Sequence, residues 1–169
     1  AVIEALSNNF AGFENIKHKP MVLFAGQNLD EDYLAELLEL LDDINYGIAV
    51  ISKSGTTTEP AVAFRILKSH LETKLGKHKA SELIVAITDE KKGALRKMAG
   101  IEGYKTFDIP DDIGGRFSVL TPVGLFPIAY AGYDIRKLLK GAREMAKLTD
   151  PSVPVEKNPS AIYASARNK

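Results

Sequence analysis

Short apolar runs alternate along this chain with stretches in which apolar residues recur every three or four positions. Residues 21–25 are an apolar run closed by Gly26, the pattern of a buried strand. Asp30 then opens a stretch to Leu41 with Leu34, Leu37, Leu38 and Leu41 at helical spacing, and Asp30 is placed to cap it. Residues 46–51 predict a second strand, and residues 60–75 a helix with Pro60 in its first turn. A third strand is expected at 83–87, followed by Thr88, Asp89 and a helix through Met98, and a fourth at 104–109. Gly114, Gly115 and Arg116 break the alternation. Residues 119–131 read as a buried helix, residues 134–148 as an amphipathic one, and the end is weakly helical from Pro159. Four short, nearly continuous apolar strands between helices predict an α/β fold, a parallel sheet covered on both faces. Ligands of such sheets sit beyond the carboxyl ends of the strands.

Composition narrows the functional classes. A chain of 169 residues suffices for one domain with its own core. Lys+Arg and Asp+Glu balance at 22 each, so no basic surface for nucleic acid or acidic lipid is expected. No apolar run nears the roughly 20 residues of a membrane span. Cysteine is absent, which removes disulfides, thiolate nucleophiles and cysteine metal sites, and fits a cytoplasmic protein. No secretory signal pattern is present. Ala1 falls inside a helix-like stretch, so a piece of a longer protein is expected.

The densest chemistry lies in Ile-Ser-Lys-Ser-Gly-Thr-Thr-Thr-Glu-Pro, residues 51–60. Five hydroxyls (Ser52, Ser54, Thr56, Thr57, Thr58) and the Lys53 ammonium fall within residues 52–58, with Gly55 between them. The loop leaves the carboxyl end of a strand and enters a helix, whose first N–H groups are unpaired. Such a loop suits a small dianion, for instance a sugar phosphate. The plainer alternative is a polar turn with a helix cap. The Gly-x-x-x-x-Gly-Lys-Ser/Thr spacing of a nucleoside triphosphate loop is missing. A second candidate is Arg116, preceded by two glycines that let backbone approach a ligand. Its guanidinium either stabilises a developing oxyanion or pairs at the surface with Asp111 or Asp112. His18 and His78 sit in lysine-bearing segments and read as solvated. His70 is mid-helix and reads as surface or as a satisfied partner, and the Asp42–Asp43 pair as solvated at a helix end. No His, Asp or Glu cluster has metal-ligand spacing, and no complete acid–base pair stands out.

With these motifs in hand, the chain closely resembles the glucose-6-phosphate isomerase family. The resemblance rests on residues 51–60 and on Asp-Asp-Ile-Gly-Gly-Arg-Phe-Ser-Val-Leu-Thr-Pro-Val-Gly, residues 111–124. The segments 86–95 and 103–112 also look familial, and the likeness runs from Ala1 to about Asn168. It implies a sugar isomerase (SIS) domain, a three-layer flavodoxin-like parallel sheet with helices on both faces. That domain is expected over residues 1–150, with 151–169 a partly helical connecting segment.

By the same resemblance, Ser52, Lys53, Ser54 and Thr57 would bind substrate phosphate. Gly115 and Arg116 would lie at the reacting carbons, Arg116 stabilising an enediolate. Glu59 matches an acidic residue that orients a ring-opening histidine. The expected whole enzyme interconverts glucose 6-phosphate and fructose 6-phosphate as a homodimer, without metal or cofactor. The family's Gly-Ile-Gly-Gly-Ser loop, its glutamate base, that histidine and a C-terminal lysine have no counterpart here, so the fragment alone is expected to be inactive. Two other readings stay open: a non-catalytic SIS sugar-phosphate sensor, which usually lacks the Gly-Gly-Arg signature, and a structural domain whose free sheet edge self-associates.

Overall fold

The computed structural model describes residues 2–7 and 20–168. The elements are α1 (Val2–Leu6), α2 (Glu31–Asp43), β1 (Ile48–Ile51), α3 (Thr58–Leu75), α4 (Lys77–Glu82), β2 (Ile84–Asp89), α5 (Ala94–Glu102), β3 (Lys105–Ile109), α6 (Pro122–Tyr130), α7 (Ile135–Leu148) and α8 (Pro159–Arg167). Short 3-10 turns cover Gly115–Leu120 and Val155–Lys157. His18 lies outside the described residues.

Local signals set most boundaries. The Asp30 carboxylate accepts the Tyr33 N–H at 3.1 Å and caps α2 as expected. Asp134 caps α7 by accepting the N–H groups of Arg136 and Lys137. Asn158 does the same for α8 with Ser160 and Ala161. The helix expected to close at Met98 continues to Glu102 before Gly103 stops it.

The three strands are parallel in the order β1-β2-β3. Val50 sits beside Ala86, Ile51 beside Ile87, and Ile87 beside Phe107. The alternation of a strand sends these residues to opposite faces. On one face Val50, Ile84 and Ala86 pack with Phe64 and Leu71 of α3 and Leu95 and Ala99 of α5. On the other, the Phe107 and Phe126 rings lie 5.4 Å apart, centroid to centroid, which seats α6 on the sheet. The central strand β2 is buried along its length apart from half-buried Val85, which explains its almost unbroken apolar run. The α/β fold with helices on both faces is therefore present.

Two expectations are corrected. Residues 21–25 pair with no strand among the described residues, so the sheet has three strands rather than four, and β1 is an edge. Met21, Leu23 and Phe24 are 56%, 43% and 53% exposed. The run is held instead by a side-chain bond, the Tyr33 hydroxyl donating to the Phe24 carbonyl at 2.6 Å. A largely apolar cavity of about 990 Å³ separates it from β1. An apolar run states a preference for burial, whereas a strand also needs a neighbour's backbone in register.

Residues 119–131 are likewise not one buried helix. The 3-10 turn ends at Leu120, Thr121 caps the next segment, and Pro122 begins α6. Proline has no N–H to continue the preceding turn's bonding and suits a helix start. Only Ile128 within α6 is fully buried, while Val119, Leu120 and Tyr130 are 41%, 42% and 53% exposed.

Candidate functional site

The carboxyl ends of β1, β2 and β3 converge on the loop that follows β1. The Ser52 N–H donates to the Ile87 carbonyl at 3.0 Å, carrying the ladder one residue past β1. The Lys53 carbonyl accepts the Thr88 hydroxyl at 3.2 Å and the Asp89 N–H at 3.4 Å. The Ser54 carbonyl accepts the Ala94 N–H at 3.0 Å, joining the loop to the start of α5.

Glycine makes this docking possible. Gly55 has φ +72°, and a Cβ there would lie 2.3 Å from the Leu95 backbone nitrogen. Gly93 faces it from α5: a Cβ there would lie 2.7 Å from the Ser54 carbonyl oxygen. Within the loop, the Ser52 hydroxyl oxygen accepts the Gly55 N–H at 3.0 Å. The Ser54 hydroxyl oxygen accepts the Thr56 N–H at 3.2 Å and the Thr56 hydroxyl at 2.9 Å.

Thr57 is the residue before α3, yet its side chain makes no capping hydrogen bond. A helix of 18 residues thus opens without a side-chain cap, its dipole's positive end beside the hydroxyls of Thr57 and Thr58. Of the plainer alternative, the helix cap is absent at Thr57, while the serine hydroxyls do bond within the turn. Glu59 lies in that first turn and is exposed. A cleft of about 320 Å³ beside the loop is lined by Ser52, Gly55 and Thr57, with Arg65 and Lys68 contributed by α3. The larger cavity along β1 touches neither Thr57 nor Arg116 and is walled mostly by hydrocarbon.

Gly115 and Arg116 open the 3-10 turn after β3. The turn is closed by the Phe117 N–H on the Gly114 carbonyl at 2.9 Å and the Ser118 hydroxyl on the Gly115 carbonyl at 2.7 Å. Arg116 is exposed, and it pairs with neither Asp111 nor Asp112 among the described residues.

Lys53 links the two motifs. Its ammonium donates to the carbonyls of Pro110 at 3.0 Å, Asp111 at 2.8 Å and Ile113 at 3.3 Å. Asp89 supports the same junction and was not among the residues that the sequence singled out. It is 4% exposed, and its carboxylate accepts the N–H groups of Lys91 at 2.9 Å and Lys92 at 3.0 Å. These two backbone bonds, with the nearby Lys92 charge, hold its pKa down at about 2. A carboxylate at the end of a buried strand, followed by a tight Lys-Lys turn, was the available signal.

His70 is a satisfied partner. Its Nε2 lies 2.8 Å from Asp42 and its Nδ1 2.7 Å from the Tyr46 hydroxyl, so Asp42 is engaged rather than merely solvated. His78 is exposed. Among the described residues no group of three or more His, Cys, Asp or Glu is placed to hold a metal, and no helix is long and apolar enough to cross a membrane.

Fold and site together define a three-layer α/β domain with an uncapped, hydroxyl-lined helix N-terminus at the sheet's carboxyl edge. A profile of the phosphoglucose isomerase family matches residues 2–166, and the chain belongs to that family. It is 60% identical over 169 residues to glucose-6-phosphate isomerase of Parabacteroides distasonis, covering 100% of this chain and 38% of that protein. It is 50% identical over 170 residues to glucose-6-phosphate isomerase of Clostridium novyi, covering 99% of this chain and again 38% of the relative. The chain thus spans under two-fifths of the length of the curated relatives it matches. The crystal structure of a hypothetical protein from Thermus thermophilus superposes with a TM-score of 0.77 at 35% identity, covering 83% of this chain and 33% of that one.

Proposed function

We propose that the intact protein is a cytoplasmic, homodimeric glucose-6-phosphate isomerase, interconverting glucose 6-phosphate and fructose 6-phosphate, and that this chain is its sugar-phosphate-binding part. The observation that carries the reading is Arg116, without a carboxylate partner among the described residues, on a turn latched through Lys53 to the hydroxyl loop. One end of a hexose phosphate would rest on the hydroxyls of Ser52, Ser54 and Thr57 and the first N–H groups of α3, with Lys53 adding positive charge. The reacting carbons would lie at Gly115 and Arg116.

After ring opening, a base takes the proton from C2 while the C1 carbonyl oxygen becomes the enediolate oxygen. The same proton returns at C1 while the O2 hydroxyl proton passes to O1, which leaves a ketone at C2 and a hydroxyl at C1. Arg116 stabilises the enediolate charge, and Glu59 orients the group that opens the ring. The proton-moving carboxylate is assigned to the further length that the relatives possess. Holding the phosphate fixes the carbons against that base and lowers the barrier through orientation.

A coupled assay of the intact protein tests this directly. Turnover of fructose 6-phosphate is expected, falling about 100-fold or more in Arg116→Ala with a smaller change in KM. No turnover in the parent, or full turnover in the variant, overturns the assignment. The 169-residue chain alone is expected to bind fructose 6-phosphate weakly in calorimetry and to turn none over.

A further inference from the structure

We propose that the Lys53 side chain positions the Arg116 turn and is not itself a direct ligand of the substrate phosphate. The proposal rests on the functional reading above and changes the role of one residue within it. A lysine ammonium has three N–H donors and no acceptor. All three are matched here by the carbonyls of Pro110, Asp111 and Ile113, at 3.0, 2.8 and 3.3 Å. No ammonium donor remains for a phosphate oxygen unless one of these bonds is broken, so any direct bond from Lys53 to a phosphate would come from its backbone N–H. A neighbouring anion still feels the positive charge, but through space.

The backbone of Lys53 is anchored from the other side. Its carbonyl accepts the Thr88 hydroxyl and the Asp89 N–H, both from the end of β2. One residue therefore ties the exits of β1, β2 and β3 together. The tie stops at Ile113, three residues before Arg116. Between them lie Gly114 and Gly115: no atom lies within 4 Å of a Cβ position at Gly115, and at Gly114 only the Phe117 ring edge is in reach, at 3.8 Å. The turn is closed within itself by the Phe117 N–H and the Ser118 hydroxyl, but on the side of β3 it is tied down through the carbonyls of residues 110–113 that Lys53 holds, so the placement of Arg116 depends in part on that tie.

The test compares Lys53→Met and Lys53→Arg with the parent in the intact protein. It reads kcat, KM for fructose 6-phosphate, the Ki of inorganic phosphate, and amide hydrogen exchange. Lys53→Met is expected to lower kcat about 10- to 100-fold, since a displacement on the order of 1 Å at a reacting centre costs that much. KM and the phosphate Ki are expected to rise only by the lost through-space charge, well under about 10-fold, and amides 113–117 to exchange faster while those of Thr58, Glu59 and Ala61 do not. Lys53→Arg keeps the charge, but a planar fork does not meet three converging carbonyls, so kcat is expected to stay low.

A phosphate Ki raised about 10-fold in Lys53→Met with kcat retained, or restored by Lys53→Arg, overturns the proposal in favour of a direct phosphate contact. If Lys53→Met does not fold, Thr88→Val loosens the same tie from β2. A smaller fall in kcat with faster exchange at 113–117 supports the proposal, and no change in either overturns it. If the parent itself turns over no fructose 6-phosphate, the functional reading fails, and the exchange comparison alone decides whether Lys53 holds the turn.

Discussion

Lys53 and Lys74 use the same bonding at opposite ends of the sheet. Lys74 donates to the carbonyls of Leu41 at 2.7 Å, Asp42 at 2.6 Å and Ile44 at 2.8 Å. These are carbonyls at the end of α2, where the helix dipole is negative and the last C=O groups lack partners. Lys74 therefore closes a helix, and what it holds is scaffold. Lys53 instead gathers the carbonyls of an irregular segment that leads to Arg116. At the amino end of the sheet the clasp closes a helix, while at the carboxyl end it holds the segment that leads to Arg116, which has no carboxylate partner among the described residues. Identical local chemistry thus has different consequences, because the elements that follow each clasp differ.

The largest effect on that contrast is expected from Gly55→Val. The new Cβ meets Leu95 backbone, and a β-branched residue is strained at positive φ. A loss of roughly 3 kcal/mol in denaturant unfolding is expected, with phosphate inhibition abolished. Retained phosphate affinity would show that the loop tolerates displacement from α5. Next comes the pair of lysine variants. Lys74→Met is expected to cost roughly 2 kcal/mol of stability, from lost charge-assisted bonds at a helix end, with kcat of the intact protein unchanged. Lys53→Met is expected to show the reverse balance. Equal losses of kcat in both would erase the distinction between the two ends.

Smaller effects follow from titration. The folded Asp89 carboxyl titrates at about 2 against an ordinary 3.8. Its contribution is fully present above about pH 4 and is lost as pH falls toward 2. Asp89→Asn is therefore expected to lower stability at neutral pH and flatten the acid limb of the unfolding curve, and an unchanged limb would contradict this.

At the amino end, burial first and the Asp42 charge second push the Tyr46 phenol up to about 12. The folded form keeps its proton while the unfolded chain loses it from about pH 10, so stability is expected to fall between pH 10 and 12. Asp42→Asn removes the smaller cause. The ultraviolet phenolate titration should move down yet stay above 10.0.

Much of this was legible along the chain because it depends on near neighbours. Three strands, the Asp30 cap, the helix start at residues 58–60 and the helix from residue 135 follow from period, capping chemistry and proline placement. Residues 21–25 and 119–131 depart from their expected elements for related reasons. Their apolar content marks surface that favours cover, but pairing and burial depend on what lies opposite. In the first case no described strand takes up the ladder, and in the second Thr121 and Pro122 divide the run. The hydroxyl loop was readable from residue types alone. Asp89 was not, since one carboxylate after a strand gains meaning only from the Lys91 and Lys92 amides folding back on it.

By itself the sequence determined the alternation of strand and helix, the concentration of hydroxyls before α3 and the Gly-Gly-Arg turn. Each is written in residues a few positions apart. Tertiary structure alone decided that Lys53 reaches a segment nearly sixty positions away and uses all three ammonium donors there. It also left Arg116 without a carboxylate partner among the described residues. A side chain's type states which bonds it can make. Which of them it makes depends on the distances that packing three parallel strands imposes on their exits.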